Sequence, residues 1–172
     1  QALNVALAGT TALVADFENG LVLADVGDPC NPRLIGKPVA VSCANDVTAT
    51  GQFALVAASF DGLVVVDISN PAEPRRVGSK KLRGECVAVA AEGRLAFAAT
   101  LAQGLQIVDI ENPRWPRWLA QAGGRRQDGW TYDCAVMGGI VAAASGRGGL
   151  LAYDVSRPSH PALRASWDAP FL

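Results

Sequence analysis

The stretch from Gly62 to Gly78, GLVVVDISNPAEPRRVG, occurs in four versions along this chain, and nothing else constrains its fold as strongly. The other versions are GLVLADVGDPCNPRLIG from Gly20, GLQIVDIENPRWPRWLA from Gly104 and GLLAYDVSRPSHPALRA from Gly149. Asp25, Asp67, Asp109 and Asp154 hold the same place in each, at spacings of 42, 42 and 45 residues. A period in the low forties, built from short apolar runs and turns, is the signature of propeller blades.

Each repeat holds four strand-sized segments. In the second copy these are DVTAT (Asp46–Thr50), FALVAAS (Phe53–Ser59), LVVVDI (Leu63–Ile68) and RRVGSKK (Arg75–Lys81). They are separated by Gly51-Gln52, by Phe60-Asp61-Gly62 and by SNPAEP, turn signals of hairpin length that make an antiparallel meander. The pattern predicts an all-β propeller of four four-stranded blades, at about 1–42, 43–84, 85–129 and 130–172, forming one domain. LVVVDI, FALVAAS, IVAAAS and LAFAAT are apolar at successive positions, so both faces of each small sheet must be covered by neighbours. The outer segment is more polar, with Arg75, Arg76, Lys80 and Lys81, as suits an exposed edge strand. The first and fourth repeats are as apolar as the middle pair. An open stack would leave two apolar faces in water. The ring is therefore expected to close: on itself, with a second copy, or with further chain.

The phrases GLVVVDISNPAEPRRVG and GLQIVDIENPRWPRWLA closely resemble the LVIVD-repeat family of predicted β-propellers. The resemblance extends over nearly the whole chain, through the Leu-Val-x-x-Asp cores, the Asn-Pro-x-x-Pro turns and the preceding Asp-Val…Gly-x-x-Ala-x-Val-Ala segments. It implies a surface or secreted, extracytoplasmic protein, usually with more than four repeats, and no common reaction. The fourth copy departs most, with Tyr153 and Arg157 where the pattern prefers Val and Asn.

Composition excludes several function classes. With 50% hydrophobic and 18% charged residues among 172, this is not a disordered chain. A net charge of −1 lacks the basic excess that strong nucleic-acid or anionic-membrane binding requires. The apolar runs are strand-sized and broken by Gly, Asp or Pro, so no span of a bilayer is expected. The chain shows no signal-peptide pattern and starts at Gln1 rather than Met, as a processed product or excised piece does. Four cysteines, Cys30, Cys43, Cys86 and Cys134, form no CxxC and fall at unmatched repeat positions, giving zinc or redox chemistry little support. Cys134 aligns with Val5, Val47 and Val89, as an apolar filler would. Cys43 and Cys86 fall one repeat position apart in adjacent blades, as a disulfide or as two buried thiols.

Most conspicuous motifs read as architecture. The four aligned aspartates sit on the third strand, roughly 10 Å outside the innermost one, too divergent to share a metal. They are expected to accept hydrogen bonds from the turn that follows. The paired prolines Pro29/Pro32, Pro71/Pro74, Pro113/Pro116 and Pro158/Pro161 shape that turn and remove edge donors. His160, the only histidine, lies between two prolines with no nucleophile placed by sequence to use it. No catalytic residue, metal site or cofactor is implied.

One face collects the remaining candidates. The loops leading into strand one and joining strands two and three lie on the same side of a meander. They bring Asp16, Glu18, Asp46, Asp61, Glu85, Asp133 and Arg147 to that side. The extra residues of the longest repeat fall there too, in GGRRQDGWTYD (Gly123–Asp133), which carries Arg125, Arg126, Trp130 and Tyr132. Aromatics beside arginines are the chemistry of a protein-contact centre. Trp115 and Trp118, in an otherwise polar turn, mark a second contact. The expected function is a non-enzymatic interaction or scaffold module that holds a protein partner or a further propeller chain. The competing class is a propeller enzyme or metal-dependent carbohydrate binder using the acidic loop face.

Overall fold

The computed structural model describes residues 1–124 and 129–168, and every regular element among them is a β-strand. The first sheet comprises β1 (Ala2–Ala8), β2 (Thr11–Asp16), β3 (Gly20–Asp25) and β4 (Arg33–Val39). The second holds β5 (Asp46–Thr50), β6 (Phe53–Ala57), β7 (Leu63–Asp67) and β8 (Arg75–Lys80). β9 (Cys86–Glu92), β10 (Leu95–Thr100), β11 (Gly104–Asp109) and β12 (Arg117–Ala122) build the third. β13 (Thr131–Met137), β14 (Ile140–Ser145), β15 (Gly149–Asp154) and β16 (Ala162–Trp167) build the fourth. In each sheet the strands pair antiparallel in sequence order, which is the predicted meander of four propeller blades.

Glycine at the start of the third strand is required by close approach. Gly20, Gly62, Gly104 and Gly149 have φ between 64° and 85°, and a Cβ at each would strike the backbone carbonyl of the neighbouring fourth strand. That contact explains why every copy of the repeat opens on Gly.

The blades stack face on face, and three apolar layers fill the junctions. Leu13, Leu21 and Leu23 of the first blade pack against Val56, Val64 and Val66 of the second. Leu55, Leu63 and Val65 meet Val89, Ala98 and Val108 in the next layer. Phe97, Leu105 and Ile107 meet Val141, Leu151 and Tyr153 in the last. β1 packs on β5, β5 on β9 and β9 on β13, whereas β13 and β1 form no comparable contact. Within the described residues the four blades are an arc with two uncovered end faces.

Strand ends differ from the sequence expectation at Ser59. FALVAAS predicts strand through that residue, but β6 stops at Ala57 and Ser59 takes φ 45°. Its N–H and carbonyl leave the blade and bond to the carbonyl and N–H of Cys86, at 3.1 and 2.9 Å. The strand gives up its last ladder bonds to tie the second blade to the third.

The aligned aspartates do what their position predicts. Oδ1 of Asp25, Asp67, Asp109 and Asp154 accepts the N–H two residues on, from Gly27, Ser69, Glu111 and Ser156, each at 2.9 Å. Arg117 and Arg164 add ion pairs to Asp109 and Asp154 at 3.1 and 2.7 Å. The Ser69 N–H holds the Asp67 carboxyl below its usual range. For Asp154 the Ser156 side chain and Arg164 do the same. For Asp109 partial burial pushes upward, but the Glu111 N–H and Arg117 outweigh it.

Depressed carboxyl pKa values mean the unfolded chain binds protons that the folded one refuses, so these turns lose stability as pH falls below about 4. Asparagine keeps the acceptor oxygen and discards the charge. Asp67→Asn combined with Asp154→Asn is expected to lower the melting temperature at neutral pH toward the acid value of the parent chain, and so to flatten its decline in acid. Thermal melts between neutral and strongly acid pH check this, and an acid limb as steep as that of the parent chain refutes it.

Candidate functional site

The loop face gathers the predicted residues at the top of the arc and gives them different tasks. Asp16 is absorbed by its own turn, where Oδ1 accepts the N–H of Glu18 at 3.0 Å and of Asn19 at 2.8 Å. Asp61 is exposed on the loop between β6 and β7. Glu85 accepts the Ser59 hydroxyl at 3.3 Å, beside the backbone bridge to Cys86. Arg125 and Arg126 lie outside the described residues.

Asp46 is buried and works as a clamp between blades. Its Oδ1 accepts the Val47 N–H at 2.8 Å, and its Oδ2 reaches to the Val89 N–H on the next innermost strand at 2.7 Å. Burial pushes the carboxyl upward, opposed by the N–H groups of Val89 and Val47 and reinforced by the charge of Asp133. The neighbouring Asn45 amide donates to the Cys86 carbonyl at 2.9 Å. In the third blade Ala88 stands at the Asp46 position, and Glu92 takes over the clamp. Its carboxylate accepts the N–H groups of Gly138 and Gly139 in the fourth blade, at 2.7 and 3.1 Å. Asp133 repeats the first half of the Asp46 arrangement, its Oδ1 accepting the Cys134 N–H at 2.8 Å.

Trp130, Tyr132 and Arg147 come together. They line a cleft of about 490 Å³ with Ala102, Gly124, Gly129 and Gly146, between the third and fourth blades. The two rings lie 6.4 Å apart at 56°, a tilted pair, and are 55% and 53% exposed. Two short backbone ties hold the segment that carries them: Gly146 N–H to the Trp130 carbonyl at 2.8 Å and Thr131 N–H to the Leu101 carbonyl at 3.0 Å. Gly129 has φ 75°, and a Cβ there would strike the Arg147 nitrogen at 2.6 Å, so bare backbone forms part of the wall. The result is an exposed aromatic step above a small-residue floor, with one guanidinium at its rim. Ala102 is the part that sequence reasoning missed. It stands where Glu18, Phe60 and Arg147 stand in the other copies, and that drop in size opens the cleft.

The second pair of tryptophans separates. Trp118 donates from Nε1 to Gln106 Oε1 at 3.2 Å, joining a buried network in which Gln106 Nε2 donates to the Arg83 carbonyl and to Thr100 Oγ1. Trp115 is exposed beside a shallow hollow of about 330 Å³ that includes Asp109, Glu111 and Arg117. A corresponding hollow at Asp67, Glu73 and Arg75 in the second blade marks it as a property of the repeat. Ser159 Oγ lies 2.9 Å from His160 Nδ1, a contact the sequence did not suggest, between adjacent exposed residues of a turn. All four cysteines are free thiols, so Cys43 and Cys86 are not bridged. Burial raises both inner thiols, Cys134 to about 12, which keeps them protonated. Among the described residues no three His, Cys, Asp or Glu side chains converge to hold a metal ion.

A family model described as the LVIVD repeat matches residues 1–38, 43–81, 83–117 and 128–169, one match for each blade. The chain belongs to the LVIVD repeat family. No curated protein matches it. Among solved structures, this LVIVD repeat chain is similar to the computationally designed Ika8 protein, with a TM-score of 0.74 and 11% identity. The match covers 95% of this chain and 48% of that one, so the LVIVD repeat chain spans about half its length. It is also similar to the computationally designed Ika4 protein, with a TM-score of 0.70 and 11% identity, covering 90% of this chain and 91% of that one. At such identity the likeness is one of fold.

The Asp46 clamp is testable by removal. Asp46→Ala strands the N–H groups of Val47 and Val89 without their acceptor, at a cost of about 1–3 kcal/mol. For a chain of this size that lowers the melting temperature by roughly 2–4 °C per kcal/mol. Thermal unfolding with unchanged β-sheet signal is the check, and an unaltered melting temperature would remove the clamp from the account.

Proposed function

We propose that this LVIVD repeat chain is a non-catalytic interaction module, acting outside the cytoplasm, that holds a protein partner on the Trp130–Tyr132 cleft. A repeat-built propeller fold suits interaction in general, because its loops stand on a scaffold of packed sheets. The observation that carries the specific reading is the exposed, tilted pair of Trp130 and Tyr132 on a segment held by backbone ties. Aromatic rings, with only two side-chain torsions to order, offer apolar area at small entropic cost, as hot-spot residues do. Arg147 at the rim supplies a charge-assisted donor for a partner carboxylate. Two carboxylates of the same face are already engaged: Asp46 by two N–H groups and Glu85 by Ser59. That favours a contact surface over metal-dependent sugar binding. The family resemblance supports the extracytoplasmic location.

Trp130→Ala with Tyr132→Ala separates contact from scaffold. The parent chain is immobilised against the secreted and surface fraction of its source cells, and a partner it retains is purified and titrated against both chains. Binding roughly tenfold weaker or more, at an unchanged melting temperature, is the expected result. A variant that melts earlier yet binds its partner undiminished makes the aromatic pair structural and overturns the proposal.

A further inference from the structure

The two uncovered end faces of the arc carry matching halves of the junctions that hold the four blades together. On the outgoing side, facing away from the third blade, the fourth blade presents Ala142, Leu150, Ala152 and Trp167. Leu150 is 47% exposed and Trp167 62%. On its incoming side the first blade presents Val5, Leu7, Val14 and Val22, with Val5 at 62% and Leu7 at 65% exposure. These first-blade positions correspond in the repeat to Val47, Ala49, Val56 and Val64, which lie against the preceding blade.

The polar devices of an internal junction are duplicated at these ends. Asp46 reaches forward to the N–H of Val89, and Asp133 holds the same position in the fourth blade, the last among the described residues. The group it would meet corresponds to the N–H of Val5 in the first blade. Gly36 and Gly78 sit so tightly under the Pro71-Ala72 and Pro113-Arg114 turns of the next blade that a Cβ would strike their carbonyls. The third blade has alanine at this position, Ala120, which is buried, and the fourth has Ala165, which is exposed. The first blade's Pro29–Pro32 turn, exposed as well, is the piece that such a position receives.

We propose that a second copy of this chain completes the ring, each fourth blade docking on the partner's first blade through these faces. Self-closure is disfavoured by the internal junctions. Leu13, Leu55 and Phe97 are almost wholly buried in them, and close-packed layers do not compress to swing the ends together. A two-fold pair of identical arcs offers two equivalent junctions and leaves no end face in water. Ala142 and Ala152, where the other blades carry Leu13, Leu55 or Phe97 and Leu23, Val65 or Ile107, leave room at the junction centre. Trp167 stands beside it as an aromatic anchor, where Lys80 and Ala122 stand in the second and third blades.

Sedimentation equilibrium of the purified chain is expected to return twice 17.8 kDa. Leu7→Lys and Leu150→Glu change exposed positions of the arc on opposite ends, so each variant alone is expected to fold and run as a monomer. Mixed together they regain a dimer, because one of its two junctions is then unaltered. Trp167→Ala, a milder change, weakens dimerisation by about tenfold or more. Far-ultraviolet circular dichroism confirms the sheet content of each variant. A parent chain that sediments at 17.8 kDa, an open series of larger species, or a dimer that survives both charge variants would each overturn the proposal.

Discussion

Every part of this molecule depends on sheets that are apolar on both faces. A four-stranded meander with one polar face could lie against a single neighbour and stop. Here LVVVD in β7 is buried along four of its five positions, because it packs on one blade through Val64 and Val66 and on another through Leu63 and Val65. Burial of that kind turns each blade into a layer that needs a second neighbour, and it is the main favourable term in the stack. Polar groups then have only the inner and outer edges left to occupy. The chain spends its carboxylates there, on turns at the outside and on backbone donors at the inside.

The inner edges show how that constraint shapes the polar sequence. An innermost strand pairs on one side only, so its remaining N–H groups point toward the centre and need acceptors. Asp46 serves one in its own blade and one across the boundary in the next, and Glu92 serves the two N–H groups of the turn after the following innermost strand. The same boundary is never held twice in the same way. When Ala88 replaces the aspartate, the acceptor moves four residues along the strand to Glu92. Acidic residues that look like a binding face in one dimension are therefore largely structural in three.

Blade number, strand order and the hydrogen bonds of Asp25, Asp67, Asp109 and Asp154 were legible because the repeat states each of them four times. What escaped was everything that occurs once. Ser59 looks like strand because its neighbours do, and only the proximity of Cys86 pulls it out. Asp46 looks like a surface residue, since its partner Val89 lies 43 positions away. Trp115 and Trp118 are three residues apart, yet Gln106 holds the indole of the second, 39% exposed, while the first is 77% exposed. Ala102 carries no chemistry of its own and matters only through the space above it. Long-range pairing and missing volume leave no mark on a local pattern.

The cleft and the open ends are coupled through the fourth blade, the copy whose sequence departs furthest from the repeat. Trp130 and Tyr132 enter β13, and Tyr132 holds the position at which Asn45 donates to the following blade. An aromatic ring there cannot repeat the amide's bond to a strand carbonyl. It stands up beside Trp130 instead, which exchanges one polar tie at the outgoing junction for apolar area on the loop face. Substitution of Leu or Phe by Ala142 at the centre of the same junction acts in the same direction, since it withdraws volume from the contact between blades. The fourth blade thus gives up part of the contact that a middle blade makes and carries Trp167, Trp130 and Tyr132 at its margins. Aromatic side chains with a polar tip suit surfaces that are covered on one side and wet on the other. The specialised blade is therefore the one at an end of the arc, where packing against a neighbour within the chain constrains its residues least.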